Sequence, residues 1–261
     1  MKSFRNTSFS VYLSDGTRCR GAYYPGDTRL VGIHVHGFRS SVNNTKVRFF
    51  LDHALQRGYS WCNFDLPCHG RSEGQFRAFR VSTALEALLE VIHRFRGASL
   101  MLLGSSMGGW LSMLAARKLA ASPNAHIAGA VLIAPAFDFF AQSFQDESEV
   151  MRQWRRDGVR RFTDYYDNQP YEMEYAVVED ALRHSVLTQP SVYNFPVRIF
   201  HGDQDEIVPI GLSRRFKALS AGSDIAVHTI EGGDHTLNRQ LPLFAAEIDR
   251  MFEKVRASQA V

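Results

Sequence analysis

The sequence predicts an α/β fold, an eight-stranded and mostly parallel sheet flanked by helices, with a small helical cap inserted late in the chain. Three observations predict it. Short apolar runs of strand length alternate with helix-length stretches through most of the chain, the pattern of buried parallel strands joined by crossover helices. The first two strand-like segments are joined instead by a tight turn, so the sheet opens antiparallel. One long segment, residues 137–196, breaks the alternation. With 261 residues, 45% of them hydrophobic, the chain can bury a full core and reads as one large domain, or one domain with an insert.

Taken in order, residues 8–13 alternate apolar and polar, Ser14-Asp15-Gly16 supplies a turn, and residues 17–24 resume an extended pattern, which makes a hairpin. An apolar run at 30–35, a helical stretch at 46–56 closed by Gly58 and a second run at 60–64 form a β-α-β unit. The series continues with a helix over 81–95, a strand at 100–103, a helix from about Met107 to Ala121 and a strand at 128–133. After the break it resumes with a strand at 197–200, a helix around 212–219, a strand at 225–230 and a helix over 243–255. The core therefore comprises residues 1–136 and 197–261, and residues 137–196 form the cap insertion. Within the cap, residues 147–156 carry acidic groups early and basic groups late, as a helix dipole favours, with Gly158 as terminator. Pro170 then starts a second predicted helix that runs through Leu187.

Composition excludes several classes of function. Thirty Lys and Arg against 27 Asp and Glu leave a formal charge of +3, too little for the basic stripe that nucleic-acid affinity requires. Three cysteines, Cys19, Cys62 and Cys68, match neither a disulfide framework nor a zinc site, which fits a reducing compartment. No apolar stretch approaches the ~20 residues that span a bilayer, and residues 1–10 lack a signal-peptide apolar region. The expectation is a soluble, cytoplasmic protein, monomeric or weakly self-associating.

The first chemical motif is Gly104-Ser105-Ser106-Met107-Gly108, a G-x-S-x-G string placed where a buried strand gives way to a helix. A chain of this length shows the string by chance about one time in ten, so its context carries the weight. A turn that sharp strains the serine backbone and brings neighbouring backbones together, which is why glycines flank it. A serine hydroxyl also needs a base and an orienting carboxylate. His201-Gly202-Asp203-Gln204-Asp205 and Gly232-Gly233-Asp234-His235 follow two successive strands. Parallel strands end at one sheet edge, so both loops converge on Ser106, with His235 as base and Asp203 or Asp205 as the acid. The N–H groups of Phe38, in His36-Gly37-Phe38 after another strand, and of Met107 would face the oxyanion of a tetrahedral intermediate. No cofactor is required.

Together, His36-Gly37, Asp65-x-x-x-His69-Gly70-x-Ser72, Gly104-x-Ser106-x-Gly108-Gly109, His201-Gly202-x-x-Asp205-x-x-Val208-Pro209 and Gly233-Asp234-His235 resemble the α/β-hydrolase fold superfamily over nearly the whole chain. Residues 104–110 and 170–184, followed by Pro196-Val197-Arg198, are most similar to the group containing the mitochondrial acyl-glucuronide esterase and palmitoyl-protein thioesterase and its bacterial relatives. The resemblance implies a serine hydrolase of esters or thioesters, with Ser106, Asp205 and His235 as catalytic triad. Asp205 is favoured over Asp203 by its spacing to Val208-Pro209, and Asp203 is left to cap its loop. Two stretches depart from the pattern of many relatives: Leu66-Pro67-Cys68 stands where a glycine precedes the histidine, and Phe38-Arg39-Ser40 replaces the glycine-rich loop of typical lipases and proline iminopeptidases.

Other residues have simpler readings. His36 and His69 hold loops, while His53, His93 and His184 lie on predicted helices. His34-x-His36 with His201-x-Asp203-x-Asp205 offers metal ligands, but the first pair lacks the further Asp-His that a zinc hydrolase motif places just beyond it, and successive strand residues point to opposite faces, so no metal is expected. Cys62 and Cys68 pack rather than react. The cap arginines form a solvated face, unless one of them, or Arg39, meets an anionic group on the substrate. Phe137, Phe139, Phe140, Trp154, Phe162, Tyr165 and Tyr166 are available to line an apolar acyl pocket. Other uses of such a site are a peptidase, a carbon–carbon bond hydrolase or a non-catalytic binding protein on the same fold.

Overall fold

A computed structural model describes residues 6–26, 30–122, 125–144, 148–220 and 223–259. The chain opens with the expected hairpin, β1 (Thr7–Tyr12) against β2 (Arg18–Tyr24), closed by Gly16 N–H donating to the Leu13 carbonyl at 2.9 Å. Strands β3 (Leu30–Val35), β4 (Ser60–Phe64), β5 (Ser99–Ser105) and β6 (His126–Ile133) follow, separated by α1 (Thr45–Arg57), α2 (Val81–Arg94) and α3 (Met107–Leu119). Helix α1 is bounded by the side chain of Asn44, which accepts the Lys46 N–H, and by Gly58 in the left-handed conformation.

The inserted segment carries α4 (Phe139–Ser143), α5 (Glu149–Asp157), β7 (Val159–Thr163), β8 (Pro170–Glu174) and α6 (Ala176–Ala181). The chain then returns through β9 (Val197–Gly202), α7 (Gly211–Leu219), β10 (Ile225–Ile230) and α8 (Leu241–Gln259). The main sheet has eight strands in the order β1-β2-β4-β3-β5-β6-β9-β10. β2 is antiparallel to both β1 and β4, and β4, β3, β5, β6, β9 and β10 run parallel. Their carboxyl ends therefore share one edge.

Alternation along each central strand builds two apolar layers. Val31, Ile33, Val35, Leu100 and Leu102 face α2 and α3, whereas Leu30, Met101, Leu103 and Val131 face α1 and α8. Each fully buried side chain of this kind contributes about 1.5–3 kcal/mol. A sheet anchored from both sides is a rigid platform for the loops at its edge.

The insertion differs from the all-helical cap expected of it. Helix α5 forms as predicted, capped by the Ser148 hydroxyl and ended by Gly158 at φ 75°; Asp146 and Glu147 lie outside the described residues. The predicted helix from Pro170 through Leu187 is instead β8, paired antiparallel with β7, followed by the short α6. In Pro170-Tyr171-Glu172-Met173-Glu174 the period is two: Tyr171 and Met173 turn inward, Glu172 is exposed, and Tyr171 stacks on Phe162 at 5.5 Å. Pro170 begins an edge strand, where its missing N–H costs nothing. His184 consequently sits beyond α6 rather than on a helix, its ring nitrogen 2.6 Å from the Ser82 hydroxyl.

Backbone contact at one glycine sets the height of the elbow above the sheet. A Cβ on Gly108 would lie 1.9 Å from the Val35 carbonyl oxygen, whereas nothing comes within 4 Å of one on Gly211, at the start of α7. Gly108→Ala is expected to cost about 3 kcal/mol or more, lowering Tm by roughly 6–12 °C. Gly211→Ala should leave Tm unchanged or raise it slightly. Thermal unfolding of the two variants checks this; equal transitions would show that the close approach at Gly108 is not a constraint.

Candidate active site

Ser106 occupies the turn between β5 and α3 with φ 53° and ψ −122°, a conformation that costs a non-glycine residue about 1–3 kcal/mol. The surrounding backbone enforces it. Ser106 N–H donates to the Ile133 carbonyl at 2.9 Å, and the Ser106 carbonyl accepts from Gly109 N–H at 2.9 Å and Ala136 N–H at 3.0 Å. The side chain is thereby lifted off the sheet edge.

The Ser106 hydroxyl lies 3.0 Å from Nε2 of His235, and Nδ1 of the same ring lies 2.7 Å from Oδ2 of Asp205. The Asp205 side chain is fully buried and receives four donors: the N–H groups of Ile207 (3.0 Å) and Val208 (2.8 Å) on Oδ1, and His235 and His201 (3.1 Å) on Oδ2. Burial alone would raise its pKa, but the hydrogen bonds from His201 and His235, the His235 charge and the Val208 N–H outweigh it and hold the carboxyl far below the usual range. An ionised Asp205 only accepts, so the His235 proton sits on Nδ1 and leaves Nε2 free to accept from Ser106.

Other Ser–His contacts test how selective this arrangement is. Among the described residues, Ser82 contacts His184 at 2.6 Å, but its hydroxyl also donates to Asp180 at 2.5 Å, so serine rather than histidine sits in the middle. Ser99 and His126, 2.9 Å apart, begin β5 and β6 at the opposite edge of the sheet. Ser213 reaches Asp205 through His201 with the connectivity of a triad, yet Ser213 and His201 are wholly buried. Ser106 and His235 line a cavity of about 560 Å³.

The loop after β3 leans on Ser106. A Cβ on Gly37 would come 3.2 Å from Cβ of Ser106. Phe38 N–H has no acceptor among the described residues, and Met107, first residue of α3, belongs to a turn whose N–H groups have no intrahelical acceptor. Buried neutral histidines fix this loop. His36 accepts the Leu66 N–H at 3.0 Å and donates to the Gly37 carbonyl at 2.8 Å, while His69 accepts the Arg39 N–H at 3.2 Å and donates to the Pro67 carbonyl at 2.9 Å. Asp65 accepts from the N–H groups of Val42 and Arg71. Burial pushes the pKa of His36 down to about 4 and that of His69 to about 3.

A model of the alpha/beta hydrolase family matches residues 33–248. The chain belongs to that family. It is 28% identical over 227 residues to the mitochondrial palmitoyl-protein thioesterase ABHD10 of Bos taurus, covering 85% of this chain and 73% of the relative. A solved structure from Agrobacterium vitis S4 superposes with a TM-score of 0.89 at 26% identity, over 95% of this chain and 99% of the other. Alpha/beta hydrolase domain-containing protein 10 from mouse gives 0.85 at 23% identity, with coverage of 95% and 99%. Family and thioesterase relatives support hydrolase activity.

The hydrolase brings Ser106, His235, Phe38 and Met107 to one cleft, with Asp205 buried behind His235. Asp203 stands apart, its Oδ1 accepting the Gly232 N–H at 2.8 Å. Of the aromatic residues expected to line a pocket, Phe139, Phe140, Phe162, Tyr165 and Tyr166 do so. Phe137 and Trp154 are fully buried instead: Phe137 stacks on Phe216 at 4.3 Å, and Trp154 donates to the Met173 carbonyl behind Phe162. Phe38, Phe144 and Tyr171 complete the wall. Arg39 is taken up by the insertion, pairing with Asp164 and with Asp167 at 3.5 Å and lying over the Tyr171 ring. Among the described residues no group of three or more His, Cys, Asp or Glu side chains could hold a metal, and no helix is long and apolar enough to cross a membrane.

Two functional neighbours escaped the sequence reading. His201 donates to Asp205 and to the Val208 carbonyl at 2.8 Å, and its place four residues before Asp205 at a strand end was the available signal. Lys46, in the first turn of α1, is buried and donates to the Ser105 hydroxyl at 3.0 Å and the Thr236 carbonyl at 2.7 Å, next to Ser106 and His235. Nothing local in the sequence distinguishes it from a solvated helix lysine.

Buried neutral histidines make stability depend on pH with a definite sign. His34 has its pKa lowered to about 3 by burial, as His36 and His69 are lowered. Below an ordinary value near 6.5 the unfolded chain takes up protons that the folded chain refuses until about pH 3–4, so stability falls as pH drops through that window. Moving from pH 7 to 5 should cost on the order of 2 kcal/mol for each of these rings, read as a lower urea midpoint. An unchanged midpoint would contradict their burial in neutral form.

Proposed function

We propose that this protein is a carboxylic-ester or thioester hydrolase that works through an acyl-enzyme on Ser106. The observation carrying the proposal is the unbroken chain from Ser106 through His235 to the ionised Asp205, opening on an aromatic-walled cavity. His235 Nε2 takes the hydroxyl proton as Ser106 Oγ attacks the acyl carbonyl, and the N–H groups of Phe38 and Met107 receive the developing oxyanion. The tetrahedral intermediate collapses, the leaving alcohol or thiol takes the proton from His235, and the acyl group remains on Ser106. Water then attacks the acyl-enzyme, His235 accepts one of its protons and returns it to Ser106 Oγ, and the carboxylic acid departs. Asp205 holds the imidazole tautomer and stabilises the imidazolium in both halves. The apolar acyl group lies among Phe38, Phe140, Phe162 and Tyr171, which suits the thioesterase activity named for the bovine relative.

Ser106→Ala should keep the fold and lower p-nitrophenyl ester turnover by roughly four to six orders of magnitude. Asp205→Asn is expected to cost about 10⁴ in kcat by misorienting the imidazole, whereas Asp203→Asn, whose amide oxygen can still accept the Gly232 N–H, should stay within a few-fold. Steady-state kinetics on the three variants decide it. Residual wild-type turnover in Ser106→Ala, or equal losses in the two aspartate variants, would reject the assignment.

A further inference from the structure

The cavity continues beyond Ser106 onto the other face of the sheet. Strand alternation places His34 and Ser105 on the side of α1 and α8, opposite the aromatic wall under the insertion. His34, Lys46, Ser105 and Thr236 line this annex, with the exposed Asn44 and Asn238 at its rim. Its polar groups are incompletely used. Lys46 is 8% exposed and carries three N–H donors, of which two are spent on Ser105 and Thr236. Among the described residues no carboxylate pairs with it. The charge of Asp234 acts on it, yet Oδ1 of Asp234 is already shared by the Thr236 hydroxyl and the Leu237 N–H. His34 is 2% exposed, and neither ring nitrogen has a hydrogen-bond partner among the described residues.

A buried ammonium without a carboxylate in contact and a buried imidazole without a hydrogen-bond partner each cost free energy that a suitably placed ligand recovers. We propose that this annex is an anion subsite, in which Lys46 and His34 bind a carboxylate or phosphate carried by the leaving group of the substrate. The inference rests on the ester-hydrolase reading of Ser106 and adds a polarity to it: apolar acyl part under the insertion, anionic leaving part over α1. Burial lowers the Lys46 pKa to about 8, which leaves it mostly cationic at neutral pH, and the lowered pKa of His34 keeps that ring neutral, able to donate one N–H. The N-terminus of α1, where Lys46 sits, adds its positive dipole end.

The test compares hexanoate esters of 3- and 4-hydroxybenzoic acid with those of the matching hydroxybenzamides, which differ in charge and little in shape. The wild-type protein should favour at least one carboxylate ester over its amide by tenfold or more in kcat/KM, and free hydroxybenzoate should inhibit more tightly than hydroxybenzamide. In Lys46→Met that ratio should fall toward one, and Lys46→Arg should retain part of it; the ratio is the readout because lost support for Ser105 and Thr236 lowers both esters together. Turnover of the amide esters without a carboxylate preference overturns the subsite and leaves the hydrolase reading standing, a result available from the wild-type protein even if Lys46→Met fails to fold. A preference that survives in Lys46→Met overturns it as well. Equal inhibition of both esters by inorganic phosphate, without a carboxylate preference, would assign the annex to a separate anion and reject the leaving-group assignment. Hydrolysis of none of the esters would remove the hydrolase reading and this inference with it.

Discussion

The buried carboxylate of Asp205 is the charge around which the carboxyl edge of the sheet is arranged. An anion withdrawn from water is tolerable only when its lone pairs are met, and here two backbone N–H groups and two imidazoles meet them. Satisfying that demand fixes the loop after β9 through Ile207 and Val208, and it places His235 with one ring nitrogen toward the acid and the other toward Ser106. His201 serves the same carboxylate from beneath. Removing any donor would leave part of a buried charge unpaired, so positioning and stability are coupled at this point of the fold.

Strain and burial support the remaining side of the cleft. The positive φ of Ser106 is held by hydrogen bonds to both of its peptide groups and by the backbone contact of Gly108 with Val35. Opposite it, the loop after β3 is fixed by His36, His69 and Asp65, none of which touches the cavity chemistry through a transferable proton. The insertion closes the cleft from above by an aromatic mesh and by the pairing of Arg39 with Asp164 and Asp167. A residue that sequence alone left available for an anionic substrate is thereby a tie between core and insertion.

Much of this was legible in the sequence because it rests on local signals. Short continuous apolar runs marked the buried strands, Gly58 and Gly158 marked helix ends, and glycines around Ser106 marked a close backbone approach. Parallel strands must end at one edge, so loops far apart in the chain could be brought together on topology alone. What was not legible depended on tertiary partners. Tyr171 and Met173 alternate as a strand, yet the preceding Pro170 equally suits the start of a helix, and only pairing with residues 159–163 decides between them. Lys46 carries the pattern of a surface residue, and its burial follows from how α1 seats against the loop that bears Thr236. Phe137 and Trp154 could not be separated from the pocket-lining aromatics, because which face of the insertion they take is set by contacts with Phe216 and Met173.

Hydrolysis at Ser106 as proposed requires one nucleophile facing two backbone donors, and a covalent phosphonate adduct tests that most directly. After reaction with a fluorophosphonate, a crystal structure should show phosphorus bonded to Ser106 Oγ and the phosphonyl oxygen within about 3 Å of both the Phe38 and Met107 N–H groups. Modification at Ser105 or Ser213, a phosphonyl oxygen turned away from those two amides, or no adduct at all would contradict it.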